Sequence, residues 1–317
     1  MNHRELITAL TPLHGAGEAR AIVRLVMEER FGLSQADLLL GKDTELSRTD
    51  RAEFEKIAQR LLAGEPVQHV LGYATFCGRR FRVTPDVLIP RPETEELVHW
   101  AIEQASVLPT FPSQHSPFQH SPLGGLGAFP SPLRVLDLCT GSGCIAVSLA
   151  LALPAARVVG VDISAPALAI ARENAAALGA TNVTFFQQDV LGNQCSKFNV
   201  QSSKFNVQCS TIISNPPYVR NSEAADIHPT VLDHEPSLAL FVPDEDPLRF
   251  YHAIARIGLR TLIPGGCVLV EINAALAEDT RALFASYGYA GVTLRNDQFG
   301  RPRMLRAYRP TAFSDVK

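Results

Sequence analysis

The stretch "VLDLCTGSGCIAV", residues 135 to 147, runs from an apolar segment through a glycine-containing turn into a second apolar segment. It places Asp137 near the end of a predicted strand, follows it with Thr140 to Gly143, and then opens a predicted helix. Glycines at such a turn let the backbone approach a ligand closely and direct the helix N-terminus at it. Ordinary strand-to-helix turns also use glycine, so the surrounding sequence decides what this one does.

Apolar runs rich in β-formers alternate with helical patterns on both sides of this turn, including a helical pattern over 145–153. This alternation predicts βαβ units and a parallel sheet covered on both faces, hence an α/β fold. Residues 291–310 instead predict two strands joined by a loop, an antiparallel pair at the sheet edge. The predicted strands of the parallel part are 133–139, 156–163, 183–190, 210–214 and 267–272.

The N-terminal part of the chain has a different pattern. Residues 18–64 show helical spacing, with a Ser47 cap before the second helical run and Gly64 closing it. The stretch "YATFCGRRFRVTPDVLIPRPETE", residues 73 to 95, predicts a hairpin, with Phe76 and Phe81 flanking a Cys-Gly-Arg-Arg turn, and then a proline-rich linker. We therefore expect a helical domain over 1–74, a hairpin linker over 75–92 and an α/β domain over 93–317.

Two segments interrupt the α/β pattern. Residues 114–122 repeat Gln-His-Ser-Pro, and residues 196–208 contain Ser-Lys-Phe-Asn-Val-Gln twice. Short duplications between predicted elements are typical of tolerated loop insertions, so we expect inserted loops over 109–132 and 193–208 without a function of their own. A metal site at His115 and His120 is the alternative.

Composition narrows the function classes. The 317 residues are 46% hydrophobic with a net charge of −3, which gives no overall basic field for nucleic acid. The six cysteines are scattered without metal-ligand spacing, so we expect reduced thiols and no metal. The N-terminus lacks a signal-peptide pattern and no stretch is long enough to span a membrane, which predicts a cytoplasmic protein.

Acidic residues near the ends of successive strands predict a pocket for a nucleoside. Asp162 falls about 20 residues after the turn, where it can accept hydrogen bonds from two ribose hydroxyls, and Asp189 can accept from the adenine amino group. Each aspartate alone is better explained as a helix cap than as a ligand contact, but Asp137, Asp162 and Asp189 at the ends of successive strands together indicate the pocket. The turn lacks the full glycine pattern that holds a pyrophosphate, with Cys139 before Thr140, which favours S-adenosylmethionine as the cofactor.

The stretch "IISNPPYV", residues 212 to 219, ends an apolar strand with Asn215-Pro216-Pro217-Tyr218. The Asn215 side-chain oxygen and the Pro216 carbonyl provide two acceptors, and the prolines restrict the backbone without adding donors. Two acceptors match a planar NH₂ group, and Tyr218 can pack on its face. A simple proline turn capping the strand is the alternative.

Several blocks of the sequence resemble the peptide chain release factor glutamine methyltransferases, the HemK/PrmC family. The resemblance covers about residues 5 to 310 without the inserts. It is carried by "EPVQHVLGYATFCGRRFRVTPDVLIPRPETEELV", "VLDLCTGSGCIAVSLA", "VVGVDIS", "ISNPPYV", "DHEPSLALF" and "LIPGGCVLVEI".

The resemblance implies a Rossmann-like class I S-adenosylmethionine-dependent methyltransferase domain, with a small all-helical N-terminal domain joined by a β-hairpin linker. It implies methyl transfer to the glutamine of the Gly-Gly-Gln loop of class I release factors, which the helical domain helps engage. The implied cofactor residues are Cys139, Thr140, Gly141, Ser142, Gly143, Asp162, Asp189 and Val190, with Asn215 contributing, and the implied catalytic residues are Asn215, Pro216, Pro217 and Tyr218. The chain departs from the family at Cys139 and Asn273, where glycine is common.

Three other functions fit parts of the sequence. An adenine-amino nucleic-acid methyltransferase shares the tetrad, but neither the composition nor residues 1–75 supply a basic recognition surface. A ribosomal-protein glutamine methyltransferase would differ only in its substrate. A non-catalytic adaptor that binds release factors is the rival from another class, and the intact tetrad argues against it.

Overall fold

The computed structural model describes residues 1–105, 133–192 and 208–311. These residues divide into two compact units. The first unit contains Met1–Ala74, Arg82–Ile89 and Ala225–Pro236, and the second contains the rest of the chain. The duplicated segments, His115, His120 and Cys195 lie outside the described residues, apart from Gln208.

The first unit is helical. Its long first helix begins at His3 rather than at Glu18, with Asn2 and Glu5 forming a reciprocal cap. The helical periodicity of the apolar residues before Glu18 is not evident in the sequence. The reason is that the backbone kinks at Gly15, where φ is 77°. Ser47 caps the third helix, as predicted. The helices are α1 His3–Phe31, α2 Gln35–Leu39, α3 Arg48–Leu62, α4 Val67–Leu71 and α8 Pro229–His234. Helices α1 to α4 enclose a core that includes Leu6, Val23, Phe54 and Leu61.

The predicted hairpin forms from β1 Tyr73–Phe76 and β2 Arg79–Arg82. Its turn is shorter than expected, because Cys77 and Gly78 alone make it, with φ of 47° and 69°. Two consecutive positive φ values are typical of the two-residue turn that matches strand twist. Phe76 and Phe81 are fully buried and meet edge to face at 5.9 Å between ring centroids.

A seven-stranded sheet organises the second unit, in the order β10-β11-β9-β6-β3-β4-β5. The five strands from β9 to β5 are parallel, and β10 and β11 form the predicted antiparallel edge. The last parallel strand begins five residues earlier than expected, at Leu262 instead of Cys267. The strands of this sheet are β3 Arg134–Leu138, β4 Arg157–Asp162, β5 Val183–Gln187, β6 Cys209–Ser214, β9 Leu262–Glu271, β10 Ala290–Asn296 and β11 Pro302–Tyr308. Two short strands, β7 Val219–Arg220 and β8 Phe241–Val242, pair with each other in a separate sheet.

Two apolar cores cover opposite faces of this sheet. Alternate residues of one strand belong to different cores: Ile213 lies in one and Ile212 in the other. The first core takes side chains from α5 Pro92–Ala105, α6 Cys144–Ala152 and α7 Ala165–Ala177, and the second from α9 Arg249–Thr261 and α10 Ala277–Ser286. The predicted α/β fold with helices on both faces is confirmed.

The strand order reverses beside β3, which lies between β6 and β4. In such sheets, ligands bind outside the carboxyl ends of the strands at the reversal. Leu138 and Ser214 are partners in the β3–β6 register, so the residues after them, Cys139 and Asn215, leave the sheet side by side. Within the described ranges, no helix is long and apolar enough to cross a membrane.

Candidate functional site

The glycine turn follows β3 and is fixed by two aspartates. The Gly141 backbone N–H donates to Asp162 Oδ2 at 2.8 Å, and the Thr140 hydroxyl donates to Asp137 Oδ2 at 2.6 Å. A Cβ added to Gly141 would meet no atom within 4 Å, whereas one added to Gly143 would lie 2.9 Å from the Ala171 Cβ. The turn is therefore open above Gly141, and Gly143 serves close packing against α7.

Cys139 occupies a conformation that glycine adopts more easily, with φ of 60°. Cys139 therefore carries a side chain, with the strain that this entails, in a backbone conformation that glycine adopts freely. Burial, reinforced by Asp162 and Asp137, raises the pKa of the Cys139 thiol well above its usual value. The thiol is thus neutral and a poor nucleophile.

Asp162 ends β4 beside this turn, as predicted. Besides Gly141, it accepts a hydrogen bond from the Ser164 backbone N–H on Oδ1 at 2.9 Å. A carboxylate has about four acceptor positions, so this partly exposed side chain retains capacity for a ligand. Burial raises its pKa, against the opposing effect of the backbone N–H donors.

Asp189 and Val190 lie beyond the end of β5, which stops at Gln187. The exposed Asp189 accepts from the Leu191 backbone N–H at 2.8 Å, and Val190 is buried.

The expectation that Asp137 is a third strand-end acid facing the pocket is wrong. Asp137 lies inside β3, its side chain is fully buried, and its Oδ2 supports Thr140. Burial raises the pKa of Asp137 to about 7. It holds the turn from beneath: Asp137 lies one residue before the end of β3, where apolar cores cover both faces of the strand.

The tetrad Asn215 to Tyr218 follows β6 at the same edge of the sheet. Asn215 donates from Nδ2 to the Thr94 hydroxyl oxygen at 3.0 Å. Pro216 and Pro217 are buried, and the Ser214 hydroxyl donates to the Leu138 carbonyl at 2.6 Å, which ties the end of β6 to the end of β3. The structure thus brings the start of the tetrad and the glycine turn together.

Thr94 and Glu271 support the tetrad, and the sequence interpretation missed them. Thr94, in the first turn of α5, donates from its hydroxyl to Glu271 Oε2 at 2.6 Å. Tyr218 donates from its hydroxyl to Glu271 Oε1 at 2.9 Å. Thr94 lies within the "IPRPETE" block that carries part of the family resemblance, which was the one signal available for it.

Asn273 and Arg303 complete the surroundings of Tyr218. Asn273 donates from Nδ2 to the Tyr218 carbonyl at 3.2 Å and to Glu223 Oε2 at 2.9 Å. Arg303 lies 3.4 Å from the Tyr218 hydroxyl and 3.4 Å from Asp297 Oδ2. The Asn273 side-chain amide therefore holds the end of the tetrad in place.

Burial dominates the ionisation of this cluster. It raises the pKa of Glu271, which is opposed by the hydroxyl donors and by Arg303. Burial and the neighbouring Glu271 raise the pKa of Tyr218 well above its usual value, so the phenol stays protonated and donates. Among the residues that the structure describes, no group of three His, Cys, Asp or Glu side chains could hold a metal ion.

The arrangement offers two functional halves at one sheet edge. The open turn and partly exposed Asp162 suit a ligand that brings hydroxyl donors, while the tetrad presents carbonyl acceptors held by prolines. Side by side, they suit a group transfer between a nucleoside-type ligand and an NH₂ group.

Comparison with known proteins identifies both parts of the chain. Residues 131–245 match the methyltransferase domain family, and residues 6–72 match the PrmC N-terminal domain family. A release factor glutamine methyltransferase of Bacteroides thetaiotaomicron is 42% identical over 304 residues, 95% of this chain and 96% of the relative. One of Flavobacterium psychrophilum is 36% identical over 306 residues, 96% and 97% of the two chains.

A solved structure shares the fold at low identity. The catalytic domain of hMettl16 has a TM-score of 0.51 and 13% identity, covering 81% of each chain. The likeness bears on the fold alone, and it agrees with the methyltransferase match over residues 131–245.

Proposed function

The chain belongs to the family of release factor glutamine methyltransferases, and from this membership we propose its reaction and substrate. It transfers a methyl group from S-adenosylmethionine to a side-chain amide nitrogen. The acceptor is the glutamine of the Gly-Gly-Gln motif in class I peptide chain release factors. The helical residues 1–74 help engage the factor, in a cytoplasmic protein.

The residues around the glycine turn fit S-adenosylmethionine. The space above Gly141 admits a ligand, and Asp162 has acceptor positions left for ribose hydroxyls. The acidic side chains near the turn suit a cation better than an anion, and the turn lacks the glycines that a diphosphate needs. The cofactor supplies a methyl group on a sulfonium; Cys139 to Gly143, Asp162, Asp189 and Val190 would hold it.

The tetrad orients the amide of the substrate. Asn215 Oδ1 and the Pro216 carbonyl accept the two N–H bonds, which places the nitrogen in one position and leaves its lone pair free of hydrogen bonds. Tyr218 packs on the planar face. An amide nitrogen is a weak nucleophile, so catalysis rests on positioning and on polarising the N–H bonds, a contribution of up to about 7 to 11 kcal/mol for ideal alignment.

The observation that carries this proposal is the orientation of Asn215. Its Nδ2 is engaged by Thr94, which leaves Oδ1 as an acceptor beside the glycine turn. A proline turn that only capped the strand would not need this arrangement.

The test is transfer of labelled methyl from S-adenosylmethionine to a purified class I release factor. Label should appear on the wild-type factor and be absent when the Gly-Gly-Gln glutamine is changed to alanine, with peptide mass spectrometry locating the added methyl. Label on a ribosomal protein or on nucleic acid, with none on the factor, would assign the chain to one of those substrates instead. Cofactor binding without transfer to any of them would favour the adaptor.

A further inference from the structure

One buried carboxylate connects both ends of the tetrad. Glu271, at the end of β9, is 2% exposed. Its Oε2 accepts from the Thr94 hydroxyl at 2.6 Å and its Oε1 accepts from the Tyr218 hydroxyl at 2.9 Å. Thr94 is itself the acceptor for Asn215 Nδ2. A single side chain therefore reaches the first and last residues of the tetrad.

The hydrogen bonds of this cluster run in one direction. Thr94 and Tyr218 each donate their single hydroxyl hydrogen to an oxygen of the Glu271 carboxyl group. Because the Thr94 hydrogen is directed to Glu271, the Thr94 oxygen faces Asn215 as an acceptor. The Asn215 amide must then turn its NH₂ toward Thr94, which leaves Oδ1 on the other side.

We infer that Glu271 is a positioning residue for methyl transfer, which acts through Thr94 to set the orientation of the Asn215 amide and through Tyr218 to set the aromatic ring. The inference rests on the proposed function, since it assigns to Asn215 Oδ1 the role of accepting a substrate N–H bond. If the Asn215 amide rotated by half a turn, it would present NH₂ to the NH₂ of the substrate, donor against donor.

Fold stability alone gives no reason for a carboxylate here. Replacing a buried ionic group by apolar side chains of similar volume is often neutral or stabilising. Glu271 contacts α5 through Thr94 and the tetrad through Tyr218. Burial raises the pKa of Glu271, and the hydroxyls of Thr94 and Tyr218 and the charge of Arg303 oppose this effect. The carboxylate is the group in this position that can accept from both hydroxyls at once.

Thr94 gives the sharpest test, because Thr94→Val removes the hydroxyl with little change in shape. Thr94→Ser keeps the hydroxyl and serves as the conservative variant. Thr280→Val is the matched control: Thr280 is fully buried in α10, and its hydroxyl donates to the Leu276 carbonyl rather than to Glu271 or a residue of the tetrad. Glu271→Gln keeps the shape of the acid but can accept from only one of the two hydroxyls.

We expect Thr94→Val to lower kcat on release factor about 100-fold, the typical effect of losing one orienting hydrogen bond in an active site. KM for the factor and Kd for S-adenosylmethionine should change by less than about threefold, because an orienting hydrogen bond of this kind acts mainly on the transition state. Thr94→Ser and Thr280→Val should retain kcat within about threefold. Glu271→Gln should lower kcat, and combining it with Thr94→Val should add little, because the two residues act in one chain.

A second measurement follows the Asn215 side chain directly. In a protein labelled with ¹⁵N-asparagine, the Asn215 Nδ2 signal is assigned by its loss in Asn215→Ala. It should shift in Thr94→Val and in Glu271→Gln and stay in place in Thr94→Ser and Thr280→Val. This readout needs no turnover, so failure of the wild type to methylate release factors would overturn the proposed substrate and leave the positioning role measurable.

Three results would overturn the inference. One is a kcat for Thr94→Val within about threefold of wild type, because the orientation of Asn215 would then not depend on Thr94. Another is an Asn215 signal that Glu271→Gln leaves unmoved. A loss of kcat in Thr280→Val as large as in Thr94→Val would likewise refute it, by showing a general effect of stability.

Discussion

Replacing Asn215 by alanine separates catalysis from folding at this site. In the structure Asn215 makes one side-chain hydrogen bond, from Nδ2 to Thr94 at 3.0 Å, and its Oδ1 is directed away from that contact. The substitution removes both the bond and the acceptor. It leaves the Thr94 to Glu271 hydrogen bond in place, so the surroundings need not collapse.

Loss of the hydrogen bond to Thr94 affects stability, and loss of the acceptor affects turnover by a much larger factor. One neutral hydrogen bond contributes about 0.5 to 1.5 kcal/mol to stability, which corresponds to roughly 2 to 4 °C per kcal/mol in melting temperature for a unit of this size. Losing an orienting acceptor in a site of low polarity costs about 10² to 10³ in kcat, or about 2.7 to 4 kcal/mol of transition-state stabilisation. Asn215→Ala should therefore be nearly as stable as wild type and far less active.

The assay combines steady-state methyl transfer to release factor with calorimetric titration of S-adenosylmethionine. We expect kcat to fall while Kd for the cofactor stays within about threefold. Asn215→Asp keeps the size and acceptors of the side chain but adds charge, so it should bind the cationic cofactor at least as well and still lose turnover. Near-normal kcat in Asn215→Ala, with the fold intact, would mean that the tetrad is a proline turn and nothing more.

Three further predictions concern the glycine turn. Asp162→Ala should weaken cofactor binding by about 10- to 100-fold, because hydrogen bonds to a charged acceptor contribute about 1.5 to 3 kcal/mol; an unchanged calorimetric Kd would contradict it. Since the pKa of Asp137 in the folded protein, about 7, lies above its value of 3.8 in an unfolded chain, stability falls as pH rises through this window. Asp137→Asn should therefore raise the melting temperature of the cofactor-free protein more at about pH 8 than at about pH 5; an equal gain at both would disprove the linkage. Cys139→Val should lower the free energy of unfolding by about 1 to 3 kcal/mol, because a β-branched residue resists positive φ. Cys139→Gly should change the free energy of unfolding by less than about 1 kcal/mol. A denaturant titration in which Cys139→Gly is the less stable variant would refute backbone strain at this position.

The fold was predictable because its signals are local. The alternation of apolar and helical runs specified a parallel sheet, and the position of the tetrad after a strand beside β3 followed from the doubly wound order. Boundaries were less certain where the chain bends: Gly15 interrupts the spacing of α1, and β9 extends back to Leu262 through two glycines. Asp137 was misassigned because both faces of β3 are covered, so a residue one position before the strand end is buried on either face.

The residues that hold the tetrad, Thr94 and Glu271, could not be predicted from local sequence patterns. Thr94 lies 121 residues before Asn215, and Glu271 lies 177 residues after Thr94 and 53 after Tyr218. A threonine in the first turn of a helix is typically a capping residue, and a glutamate at the end of an apolar strand has many uses. Only the folded sheet brings these side chains together, so their shared role appears first in the hydrogen-bond directions.

The arrangement of charge explains why an asparagine and not an aspartate stands at position 215. A carboxylate there would accept the substrate N–H bonds more strongly, but beside a sulfonium it would be attracted to the cofactor and displaced from the amide. The structure places the carboxyl group instead on Glu271, behind the Thr94 hydroxyl. A hydroxyl that donates to a carboxylate becomes a better acceptor, and an amide that donates to such an acceptor gains electron density on its carbonyl oxygen, because hydrogen bonds in a chain polarise one another. Asn215 Oδ1 therefore becomes a stronger acceptor while it stays neutral, which is what methylation of a weakly nucleophilic amide beside a cation requires.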